Sequence, residues 1–171
     1  MMKIFISYGH DEHSPLIKKM AKDLKELGYD IWIDYDDLAP ANRWEEEIEH
    51  GIRSANWVVV FKTNHSMRRP DGYCLDEISY ARYHNKSILP IRIQNIAPPI
   101  SIARIQWLDM TSYLNDDGMI NENYYQERLN ELDSILRGLK ELEISADSAY
   151  HLLQYLNPLD NENYLTNVPS H

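Results

Sequence analysis

The sequence predicts an α/β protein built on a doubly wound, parallel, five-stranded sheet. Three observations carry the prediction. Short runs rich in β-branched and aromatic residues alternate with segments of helical period. Several of the runs are apolar on both faces, as strands buried inside a parallel sheet require. The resulting order, βαβαβαβ and then a last strand and helix, is that of a sheet wound on both sides, whose ligand sites lie at the carboxyl ends of the strands.

The first strand is KIFISY (3–8). A helix follows, with Ser14 as its cap, Pro15 at its first position, Gly28 as terminator, and Ile17, Met20, Leu24 and Leu27 facing inward. DIWIDY (30–35) is the second strand. Asn42 and Glu45 then have capping-box spacing, and Trp44, Ile48 and Ile52 form the inner stripe of the second helix. WVVVF (57–61) is the third strand, and Asp71 stands where it can cap the third helix. SILPIR (87–92) is the fourth, with Pro90 marking an edge, a bulge or a strand end because it lacks an N–H. RIQWLDM (104–110) is a weaker fifth strand, and Leu129, Leu132, Ile135, Leu136 and Leu139 line a closing helix. The periodic part is expected to form one domain over 1–142. Residues 143–171, ending PLDNENYLTNVPSH, read as a polar tail or linker.

A net charge of −10 argues against nucleic acid as a partner, since phosphate contacts need a basic footprint. No apolar run approaches a membrane span, and a single cysteine suits a reducing cytoplasm. There is no GxxxxGK[ST], GxGxxG or HExxH, so phosphate-loop, dinucleotide-fingerprint and common zinc chemistries find no support, and no metal is expected. The acidic run IDYDD (33–37) could hold Mg²⁺, but a solvated loop is the favoured reading. Trp44 could be core or a stacking platform, and its spacing favours core.

One carboxylate resists an ordinary explanation. In GYCLDEISYA (72–81), Cys74, Leu75, Ile78 and Ala81 make the inner face, and Glu77 falls at the edge of that face instead of opposite it. The bland reading pairs it with Arg82 or Lys86, yet five residues to Arg82 is too far for a standard helical pair.

In register along the chain, KIFISYGHDE, GYDIWIDYDDLAPANRWEEEIEHGIRSANWVVVF, YCLDEISYARYHNKSILPIRI and IQWLDM resemble the successive motifs of TIR domains (the Toll/interleukin-1 receptor/resistance protein type). The resemblance implies a flavodoxin-like sheet and, in many bacterial and plant members, cleavage of NAD⁺ at the nicotinamide–ribose bond. NAD⁺ would be substrate, with no cofactor implied, and the product ADP-ribose or a cyclic isomer. The family's catalytic glutamate falls on Glu77. By the same resemblance Tyr8, Gly9, Asp37, Asn42, Trp44 and Tyr73 would line the nucleotide site, with Gly9 standing where some active members carry arginine. The partner would be further copies of the domain, met through the BB loop at about 36–43, and the setting bacterial antiphage immunity. Two other readings stay open: a non-enzymatic TIR–TIR scaffold, and nucleoside deoxyribosyl transfer, against which the segment DYDDLAPANRW argues.

Overall fold

The computed structural model describes residues 1–33, 44–68 and 73–138. Within them the strands are β1 (Lys3–Ser7), β2 (Asp30–Ile33), β3 (Trp57–Lys62), β4 (Ser87–Arg92) and β5 (Leu108–Asp109). The helices are α1 (Ser14–Glu26), α2 (Trp44–Ser54), α3 (Tyr73–Tyr83) and α4 (Glu122–Leu136). All pairings are parallel, in the order β2-β1-β3-β4-β5. This is the flavodoxin-like order, and its topological switch point lies between β1 and β3.

Strict alternation along the central strands divides the core between the two faces. Ile4, Ile6, Val59, Phe61, Leu89 and Ile91 pack with α1 and α4, whereas Phe5, Val58, Val60 and Ile88 pack with α2 and α3. Apolar side chains on both faces explain why these strands read as continuous apolar runs. On the second face Phe5 stacks on Trp32 with 4.5 Å between ring centroids. A Cβ on Gly51 would lie 2.9 Å from the Trp32 ring, so the missing side chain lets α2 settle against the sheet.

Several local expectations need correction. Ser14 is the first helical residue of α1 and His13 the cap, because the Ser14 N–H is already taken by the Asp11 carbonyl at 3.0 Å. Gly28 (φ +93°) does follow the end of that helix, but Leu27 is 42% exposed and belongs outside the core. The fifth strand shrinks to two residues that pair only with Ile91 and Arg92. At Pro90, therefore, β4 is a local edge on its β5 side, which is how a central run tolerates proline. Asp71, Leu139 and the tail 143–171 lie outside the described residues. Among the described residues no helix is long and apolar enough to cross a membrane.

Candidate active site at the switch point

Alternation along β1 decides what faces what. Ser7 shares the face of Phe5, and at the carboxyl end of β1 it sits in register with Val60 of β3. Tyr8, one residue on, turns to the other face, where it is buried in the α1/α4 core and stacked on His10 at 4.2 Å. The helix that follows β3 starts at the same carboxyl edge, so its first turns lie over Ser7. There Ser7 Oγ donates to Glu77 Oε2 at 2.5 Å, across 70 residues of sequence.

Glu77 is more sheltered than its place on the helix suggests. It is 8% exposed, among the buried residues of α3 together with Cys74, Leu75, Ile78 and Ala81. The two cations weighed from the sequence are engaged elsewhere: Arg82 with the Ser101 carbonyl, and Lys86 with the carbonyls of Arg53 and Ala55 at the end of α2. Cys74 lies against the same pair. Burial first, then the charge of Glu77, push its thiol up to about 12, a hydrogen bond with Ser7 acting the other way. A thiol held so high is not a nucleophile at neutral pH.

Glu77 also reaches a cleft of about 200 Å³ that runs between α2 and α3, lined by Glu45, Glu49, Asp76, Tyr73, Tyr80 and the isoleucines Ile48 and Ile52. Among the described lining residues, four carboxylates and no lysine or arginine make this an acidic pocket. The sequence allows it because carboxylates are favourable at the positive ends of two helices; Glu45, Glu46 and Glu47 open α2 and Asp76 lies in the first turn of α3. Tyr73, 56% exposed, stands at the rim, and Tyr80 donates to Glu49 at 3.3 Å. Such a site is suited to an electron-poor, cationic, planar group held by carboxylates and a phenol ring.

The expected residues divide accordingly. Glu77 and Tyr73 share the cleft, whereas Tyr8 is buried on the far face of the sheet. Gly9 is sterically committed: a Cβ there would come within 2.7 Å of the Ser66 backbone nitrogen, in the loop after β3. Asp37, Asn42, the segment 36–43 and the Trp44 side chain lie outside the described structure. Residues not foreseen are Glu45, Glu49, Asp76 and Tyr80 in the cleft lining and Ser7 behind Glu77; for Ser7 the signal was available, a lone hydroxyl on the Phe5 face at the end of a largely apolar strand. The potential metal ligands Asp11, Glu12 and His13 have ligating atoms within 4.8 Å of one another, but they sit before the positive end of α1, which opposes a cation.

A family profile described as TIR domain matches residues 4–122, from β1 to the start of α4. The chain belongs to the TIR domain family. The TIR domain is 32% identical over 90 residues to the protein named NAD(+) hydrolase TcpC from Escherichia coli O6:H1, covering 51% of this chain and 29% of that one. It is 30% identical over 91 residues to the 2' cyclic ADP-D-ribose synthase AbTIR from Acinetobacter baumannii, covering 52% and 34%. The matched segment thus spans about a third of each of these relatives. Among solved structures, the TIR domain of the Toll-related receptor TRR-2 from Hydra magnipapillata superposes with a TM-score of 0.61 at 16% identity, over 78% of this chain and 97% of that one. This last likeness concerns the fold.

Proposed function

We propose that this TIR domain cleaves NAD⁺ at the nicotinamide–ribose bond, with Glu77 as the catalytic carboxylate. The observation that carries the reading is Glu77 itself: a buried carboxylate at the switch point, opening on a cleft whose described lining is acidic. An assembly surface gains nothing from sheltering a charge in this way, so the scaffold reading is the weaker one. The two relatives named for NAD⁺ hydrolysis and cyclic ADP-ribose synthesis support the same substrate.

The chemistry follows from where the charge moves. In NAD⁺ the positive charge lies on the nicotinamide ring. As the C1′–N bond breaks, its electron pair returns to the ring nitrogen and the charge passes to the ribose as an oxocarbenium-like centre. Nicotinamide leaves neutral. Water, losing a proton, then adds at C1′ to give ADP-ribose, or a nucleophile within ADP-ribose closes a cyclic isomer. A carboxylate placed at the ribose is worth more in the transition state than in the ground state, which is what accelerates the step. The rim carboxylates Glu45, Glu49 and Asp76 act on the pyridinium at longer range and assist binding more than bond breaking.

A cleft of about 200 Å³ holds the nicotinamide–ribose end but falls short of the roughly 300–1,000 Å³ typical of ligand sites. The remainder of the dinucleotide would be received by the segment 36–43 and a neighbouring copy of the domain, so activity should rise with self-association. The test is incubation with NAD⁺ over a protein series spanning monomer to oligomer, with products separated by chromatography. Nicotinamide release by wild type, lost in Glu77→Gln, is expected. An assembled wild type that leaves NAD⁺ intact hands the protein to the scaffold reading. Flat specific activity across the series removes the dependence on assembly.

A further inference from the structure

We propose that Ser7 is the positioning residue of this site: its hydroxyl holds one oxygen of Glu77 and so fixes how the carboxylate meets the cleft. The inference rests on the NAD⁺-cleavage reading above and assigns to it a residue on a different element. Ser7 is 1% exposed, and its Oγ lies 2.5 Å from Glu77 Oε2. A hydroxyl so placed is a costly choice for a strand whose neighbours Phe5, Val58 and Val60 are apolar, because a buried polar group must be satisfied or lose stability. It is satisfied by the carboxylate. Hydrogen bonds to an ionised acceptor are short and roughly twice as strong as neutral ones, so the pair is fixed by more than packing.

The geometry separates the roles within the pair. Ser7 belongs to β1, an inner strand paired with β2 on one side and with β3 on the other, and is itself in register with Val60. Glu77 is on a crossover helix, and its side chain has three rotatable bonds. A rigid donor on the strand and a flexible acceptor on the helix is the arrangement that aims a carboxylate. Among the titratable groups described around Glu77, Cys74 shares its helix turn, Asp76 and Tyr80 lie on the same helix, Glu45 and Glu49 face it from α2, and Asp11 acts on Cys74 from the loop after β1. All of these are acids.

The test compares Ser7→Ala and Ser7→Thr with wild type and Glu77→Gln, using the full chain, circular dichroism for folding, steady-state NAD⁺ turnover, and carbon-detected NMR of the Glu77 carboxyl across pH. For Ser7→Ala, kcat is expected to fall about 10- to 100-fold with KM little changed, as for loss of a hydrogen bond to a charged group that orients the reacting carboxylate. The Glu77 titration should move to higher pH, because the donor that favoured the ionised form is gone. Threonine keeps the hydroxyl and should restore most of kcat and return the titration toward wild type. A Ser7→Ala variant with wild-type kcat, or one whose Glu77 titration does not move, overturns the proposal. So does Ser7→Thr failing as badly as Ser7→Ala while folded. If Ser7→Ala fails to fold, Ser7→Thr and Ser7→Cys decide: turnover must track the strength of the hydrogen bond to Glu77, and turnover independent of it overturns the proposal. If Glu77→Gln itself turns over NAD⁺ like wild type, the catalytic reading has failed. That outcome is told apart from a failure of Ser7 alone, in which Glu77→Gln is dead and Ser7→Ala is not.

Discussion

The two faces of the sheet both draw carboxylates in from solvent, and they treat them in opposite ways. On the α1/α4 face, Asp23 accepts from Tyr125 at 2.5 Å and from Lys19 at 3.1 Å, and Asp133 accepts from Tyr29 at 2.6 Å and twice from Arg137 at 2.9 Å. Burial pushes the Asp23 carboxyl up, but the hydrogen bonds from Tyr125 and Lys19 outweigh it and hold the group below its usual range. Each acid there is closed off by a phenol and a cation. On the α2/α3 face, Glu77 meets a serine hydroxyl and an acidic cleft. The first arrangement is a joint between helices, complete in itself. The second opens on a cleft whose described lining carries four carboxylates, an arrangement that suits a cationic ligand.

The comparison breaks most sharply if carboxylates are neutralised one face at a time. Glu77→Gln should lower kcat about 10²–10³-fold, the cost of removing one preorganised electrostatic element, while the thermal midpoint holds or rises because a buried charge has gone. Asp133→Asn should do the reverse, leaving kcat unchanged and lowering stability by about 1–2 kcal/mol as charge-assisted bonds at a partly exposed joint weaken. Matched denaturant and turnover measurements on the two variants check both. A stability loss in Glu77→Gln as large as that in Asp133→Asn would make Glu77 a structural group.

Alkaline titration sharpens the structural side. Burial, and then the hydrogen bond to Asp133, raise Tyr29 to about 12. Since the folded value lies above the ordinary tyrosine value of about 10, its contribution to stability is full below pH ~10 and is lost as pH rises from there toward the folded value. Wild type should therefore lose stability over that window more steeply than Tyr29→Phe, in unfolding midpoints followed with pH. Equal slopes would show that the Tyr29–Asp133 joint carries nothing.

The smallest effects separate rim from floor. Glu49→Gln should raise KM for NAD⁺ a few-fold with kcat nearly intact, since a rim charge felt equally by ground and transition states changes binding alone. Glu46→Gln and Glu47→Gln, exposed on α2 and outside the cleft lining, should change neither. A kcat defect in Glu49→Gln equal to that of Glu77→Gln would mean that the cleft acts as one field instead of through one residue.

Much of the site was legible because helical and strand periods fix which side of an element a residue occupies. Glu77 stood out at the border of its helix's inner face, and α3 does bury Cys74, Leu75, Ile78 and Ala81. The same spacing gave Ile48 and Ile52 as the inward residues of α2. Glu45 shows where that logic stops: it has the pattern of a surface carboxylate and becomes a wall of the cleft only because α3 packs beside α2. Tyr8 shows it again. The family resemblance put it at the nucleotide site, but the pleat turns it to the α1/α4 face and sets Ser7 toward Glu77.

By itself the sequence determined the element order, the parallel sheet and the two-sided core, since these follow from local periods and from apolar runs of strand length. It also determined that one glutamate on the third helix needs an explanation beyond solvation. Tertiary structure alone decided that this glutamate is buried, that a serine 70 residues away donates to it, and that Arg82 and Lys86 are spent elsewhere. The physical reason is that burial and hydrogen bonding depend on which elements share a face and in what register. Strand order, set by packing across the whole sheet, fixes those neighbours.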